Sequence, residues 1–103
     1  MIVLDNVNIW GLLPEMKPVL ALQQKFFDRV GKNFVVTSAR DGIHSAGSYH
    51  YYGYAVDSRT RDLTEAQKQE LVQFLKDNLS SHYDVILHDT HLHVEYDWYR
   101  ANS

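Results

Sequence analysis

The segment His91-Leu92-His93-Val94-Glu95-Tyr96 constrains the chain most, because polar and apolar residues alternate through it without interruption. Alternation with a period of two is the pattern of a half-buried β-strand, whose successive side chains point to opposite faces. Leu92 and Val94 therefore face a core, and His91 and His93 share the other face. Glu95 continues that second face; so near the chain end it reads as a surface residue, with the orientation of an imidazole as the other possibility. Upstream, Tyr83 to Leu87 reads as the preceding strand. If Asp89-Thr90 is a two-residue hairpin loop, His88 stands directly across the ladder from His91.

A sheet with one apolar face needs a cover, and two helical stretches supply it. Pro14 or Pro18 can open the first, since proline fits a first turn where its missing N–H has no intrahelical partner. Met16, Val19, Leu20, Phe26, Phe27 and Val30 then recur near helical spacing, and Gly31 is placed to cap the end. Thr64-Glu65-Ala66-Gln67 has the form of a capping box, and the helix it opens runs to about Leu79, burying Leu71, Val72, Phe74 and Leu75. Between them, Phe34 to Ser38 reads as a buried strand ending in the Ala39-Arg40-Asp41-Gly42 turn, and Ala55 to Asp57 as another. Ile2 to Trp10 is a short strand or an extended arm. These elements predict an α+β fold: a small antiparallel sheet backed by two helices on one face, with the other face open. At 103 residues the chain is a single domain, residues 1–103, with room for one core.

Charge and composition exclude several classes of function. A formal net charge of -3 with no basic run argues against nucleic acid as a partner. The absence of cysteine removes disulfides and thiolate metal sites. Met1 to Asp5 is too short to form a secretory apolar segment, and no run approaches the length of a membrane span. The expectation is a soluble protein without a signal peptide and without membrane insertion.

The chemistry gathers in two places. Ser48-Tyr49-His50-Tyr51-Tyr52-Gly53-Tyr54-Ala55-Val56-Asp57 carries a histidine followed seven positions later by an aspartate, and the His91-Leu92-His93 pair comes much later. Two imidazoles and a carboxylate make a ligand set that leaves zinc one open position. Gly53 permits a turn, so His50 can sit on a loop while Asp57 stands on a strand. A lone histidine is most often an ordinary hydrogen-bonded residue. Here five of six fall in two short clusters, each tied to a strand, which packing alone does not require. His91 and His93 lie about 6.5–7 Å apart at Cα, so one can reach an ion while the other stands beside its water. Arg40 leaves a strand end toward the His50 loop, where a guanidinium can bind a carboxylate or an oxyanion; an ion pair with Asp41 or Asp62 accounts for it equally well. His44 reads as a solvated loop residue. Tyr49, Tyr51, Tyr52 and Tyr54 offer apolar area and hydroxyls near His50, to a substrate or only to the core.

Ser48-x-His50-x-x-Gly53-x-Ala55-x-Asp57 with His91-x-His93 resembles the signature of the zinc D-alanyl-D-alanine carboxypeptidases and the L-alanyl-D-glutamate or murein endopeptidases, which share a fold with lysostaphin and the hedgehog signalling domain. The resemblance runs from Val36-Thr37-Ser38 through Val94-Glu95-Tyr96. It implies that His50, Asp57 and His93 hold one Zn2+, that His91 or, second, His88 is the base serving the activated water, and that an upstream arginine, Arg40, stabilises the transition state. Ser48 of the motif and Tyr52, one of the tyrosines around His50, are the residues assigned to substrate binding. The implied activity is hydrolysis of a peptide bond in peptidoglycan, as a carboxypeptidase or an endopeptidase. A chain this short would suit a phage-encoded endolysin, made in the cytoplasm and acting on the cell wall as a monomer. The alternative is a non-catalytic, hedgehog-like metal-binding module.

Overall fold

The computed structural model, which describes residues 1–9, 12–40 and 55–97, contains in chain order strand β1 (Ile2–Val3), helix α1 (Lys17–Val30), strands β2 (Val35–Arg40) and β3 (Ala55–Arg59), helix α2 (Glu65–Asn78), and strands β4 (Tyr83–Leu87) and β5 (His91–Tyr96). The strands form one sheet in the order β1-β2-β3-β5-β4. The fold is α+β, as the alternation and the two apolar helical stripes require. Only β1 departs from the antiparallel expectation: it pairs with β2 in parallel, Ile2 against Val35 and Val3 against Val36, so the sheet is mixed. The Ile2 N–H donates to Phe34 O at 2.7 Å, which fixes this register.

Both prolines act at the first helix. Pro14 opens a single 3-10 turn, Pro14–Met16, and Pro18 lies in the first turn of α1 that follows. Gly31 ends α1 with φ 72°, a left-handed conformation that costs glycine nothing. Its N–H donates to Asp28 O at 3.3 Å and the Lys32 N–H to Phe27 O at 3.0 Å, the two bonds of a Schellman ending. At the start of α2, the Gln67 N–H donates to Thr64 Oγ1 at 3.1 Å while the Thr64 N–H donates to Gln67 Oε1 at 3.0 Å, the reciprocal pair that the capping box predicts. No helix among the described residues is long and apolar enough to cross a membrane.

Both helices pack on one face of the sheet. Val36, Val56, Leu92 and Val94 meet Met16, Val19, Phe26, Phe27, Leu71 and Leu75 there, all essentially without exposure. Burying each such side chain contributes roughly 1.5–3 kcal/mol. Val72 and Phe74 are only partly buried, and the Arg29 guanidinium lies 5.0 Å from the Phe26 ring and 5.3 Å from that of Phe74. One polar pair crosses the core: Ser58 Oγ donates to Gln23 Oε1 at 2.5 Å, joining α1 to β3.

That pair also extends β3. The sequence reading ends β3 at Asp57, but the strand continues to Arg59, since Gln23 lets Ser58 turn inward without losing a hydrogen bond. β2 is also longer than expected, reaching Arg40 opposite Ala55 instead of turning after Ser38. Its register shifts between Val36 and Ser38, leaving Thr37 as an extra residue.

Candidate metal centre

The cross-strand register assembles the site. Asp57 on β3 stands opposite His93 on β5; on the same face Ala55 opposes Glu95 and Arg59 opposes His91. Leu92, Val94, Val56 and Ser58 alternate with them and point to the helices, so the polar set collects on the face away from the core.

His93 is held from both sides. Its Nδ1 lies 2.7 Å from Asp57 Oδ1 and its Nε2 2.6 Å from Glu95 Oε1. Two carboxylates on one ring favour the charged imidazolium. The hydrogen bond to Asp57, and after it the one to Glu95, outweighs the opposing effect of burial and pushes the His93 pKa up to about 9. Both ring nitrogens then carry protons and donate.

Glu95 corrects the sequence reading. It is not a surface residue: its relative exposure is 8%, the same as that of His93. Its Oε2 is buried and accepts no hydrogen bond among the described residues. A buried carboxylate is costly unless a cationic or donor partner faces it, and the His93 ring is that partner for Oε1. The clue in the sequence is the i, i+2 spacing to His93, which puts both side chains on one face.

The expected hairpin contact is present. The His88 N–H donates to His91 O at 2.9 Å across the Asp89-Thr90 loop, and the two imidazoles stack with centroids 4.6 Å apart and planes at 23°. His91 Nδ1 is 3.4 Å from Thr90 Oγ1. Beside this pair a cleft of about 340 Å3 is lined by Thr37, Asp57, Arg59, Arg61, Thr90 and His91. Sequence reasoning missed Arg59 and Arg61, because it ended β3 at Asp57. Carrying the strand two residues further places Arg59 on the face of Asp57.

Of the residues the sequence singles out, Asp57, His93, His91 and His88 come together. His50, Ser48, Tyr52 and His44 lie outside the described residues, and so do Tyr49, Tyr51, Tyr54 and Asp41. Arg40 is placed by its backbone at the end of β2, opposite Ala55; its side chain lies outside the described structure. Comparison of the chain with protein-family models, with curated proteins and with solved structures finds no match.

The chemistry of the donor set fits a zinc ion. A histidine ligand characteristically gives one nitrogen to the metal and the other to a carboxylate that fixes the ring. His93 has this arrangement, with Nδ1 turned to a second potential ligand, Asp57, and Nε2 held by Glu95. Among the described residues no group of three converges to hold an ion. A zinc ion held by Asp57 and His93 would need at least one further protein ligand.

Proposed function

We propose that the chain is a zinc-dependent peptidase that hydrolyses a peptide bond in bacterial peptidoglycan, with His50, Asp57 and His93 holding the ion. The observation that carries this reading is the approach of His93 Nδ1 to Asp57 Oδ1 at 2.7 Å, with Glu95 holding the far nitrogen, beside a cleft that Asp57 and His91 both line. The motif around His50 and Asp57 supports the assignment of the third ligand.

When bound, zinc supplies a Lewis acid that polarises the scissile carbonyl and acidifies a water. The chain's own groups do the rest. His91 is the base: Nδ1 is turned to Thr90 Oγ1, so Nε2 takes the proton from water and returns it to the leaving amine. His88, stacked on it, keeps the ring from turning away and stands second in line for the proton. Glu95 holds the His93 ring with Nδ1 toward Asp57. Arg40, Ser48 and Tyr52 are assigned to substrate, Arg40 to the developing oxyanion. The protein acts as a monomer on the cell wall, an arrangement that suits a phage-encoded enzyme.

The test is digestion of purified peptidoglycan by the zinc-loaded protein, with mass spectrometry of the released muropeptides. Cleavage that a chelator abolishes and zinc restores is expected, and the fragment masses separate carboxypeptidase from endopeptidase action. Stoichiometric zinc uptake with intact peptidoglycan would make this a non-catalytic, hedgehog-like module, and no zinc uptake would overturn the metal centre itself.

A further inference from the structure

The cleft beside Asp57 carries a charge pattern that metal binding and proton transfer leave unused. Of the six described residues that line it, two are arginines, Arg59 and Arg61. The only carboxylate in the lining among the described residues, Asp57, is engaged by His93. Among the described residues neither arginine side chain makes a hydrogen bond or ion pair, although acidic residues outnumber basic ones by 13 to 10. Positive charge is thus concentrated in a cleft of a protein whose formal net charge is -3.

Two like charges lining one cleft repel, and the repulsion is relieved when an anion enters between them. A guanidinium is planar and presents paired N–H donors that match the two oxygens of a carboxylate, which makes arginine suited to this recognition in a way that lysine is not. Along β3, Arg59 follows Asp57 by two positions, about 7 Å. An extended peptide covers the same distance in two residues.

We infer that Arg59 and Arg61 form a carboxylate-binding subsite in this cleft, which selects peptides bearing a free carboxylate within about two residues of the bond held at Asp57. The inference rests on the reading of the cleft as the substrate's. The carboxylate has two possible sources, the C-terminus of the substrate or the side chain of an acidic residue within it. The first belongs to a carboxypeptidase and the second to an endopeptidase.

Equilibrium binding to the full chain in the presence of a chelator tests the subsite without hydrolysis. The probes are N-acetyl-alanyl-alanine with a free C-terminus, the same peptide amidated, and amidated N-acetyl-glutamyl-alanine with its glutaminyl counterpart. At least one acid is expected to bind about tenfold more tightly than its uncharged partner, as one charge-assisted contact provides. The pair that shows the difference identifies the source. The preference should shrink as salt is raised. It should fall to parity in the Arg59→Gln, Arg61→Gln double variant and persist in Lys32→Gln, a cation outside the cleft. Equal binding of acids and amides, no binding of either acid at millimolar concentration, or a preference that survives the double variant would each overturn the subsite. Carboxylate selectivity in a protein that leaves peptidoglycan uncut would sink the peptidase reading and leave the subsite standing.

Discussion

His93 sits between two carboxylates in a nearly dry site, so its protonation state governs what that site can do. In the metal-free protein its pKa is raised to about 9 from an ordinary 6.5, chiefly by Asp57 and then by Glu95. A raised histidine pKa contributes stability that is fully present below the unfolded value and is lost as pH climbs through the folded one. Metal-free protein should therefore lose stability between about pH 6.5 and pH 9, by an amount on the order of 3 kcal/mol. Urea titrations at intervals across that window check this, and a flat profile would refute the charged bridge. Zinc needs the neutral ring, so its apparent affinity should rise over the same range. Glu95→Gln keeps the size of the side chain but weakens its hold on Nε2. It should loosen zinc about 10- to 100-fold, measured by competition with a chromogenic chelator. Asp57→Ala removes a ligand and should abolish uptake. His91→Ala should bind zinc normally and lose most turnover; undiminished turnover would transfer the proton to His88.

The elements that announced themselves in the sequence are those whose signals are local. Six alternating residues specify β5, a threonine and a glutamine three positions apart specify the start of α2, and a two-residue loop brings His88 onto His91. What escaped notice depends on partners distant along the chain. A two-residue strand has no period to detect, so β1 is defined only by Phe34, Val35 and Val36. Ser58 reads as a residue leaving a strand until Gln23, 35 positions earlier, is seen to accept its hydrogen bond. Glu95 looks exposed until the sheet folds it against His93. The same distinction sets two expectations for stability. Thr64→Ala removes one arm of the capping box and should cost about 1 kcal/mol. Gly31→Ala meets no atom within 4 Å, so its cost is that of holding φ +72° alone, again about 1 kcal/mol. Chemical denaturation of each variant gives both values directly, and a neutral Gly31→Ala would contradict the left-handed cap.

At the scale of the whole molecule, the core and the candidate metal centre lie on opposite faces of one sheet. Phe26, Phe27, Leu71, Leu75, Leu92 and Val94 close the helical side without help from Asp57 or His93. Asp57, His93 and Glu95 alternate with core residues on the same two strands, and hydrogen bonds of 2.7 and 2.6 Å join the His93 ring to the two carboxylates. The fold is therefore expected to form without metal, in contrast to small zinc domains that unfold when stripped. Zinc should instead act as a ligand that binds the native state alone, adding RT ln(1 + [Zn]/Kd) to a fold that exists before it arrives. At a free concentration 100 times Kd this is about 2.7 kcal/mol, which for a domain of this size raises Tm by about 10 °C. The chelated protein should keep a cooperative thermal transition and its near-ultraviolet circular dichroism, with Tm lower by that amount. Asp57→Ala should remove the dependence on zinc while leaving the cooperative transition in place. Loss of the transition on chelation would mean that the two faces are not independent, and that the ion belongs to the scaffold as well as to the chemistry.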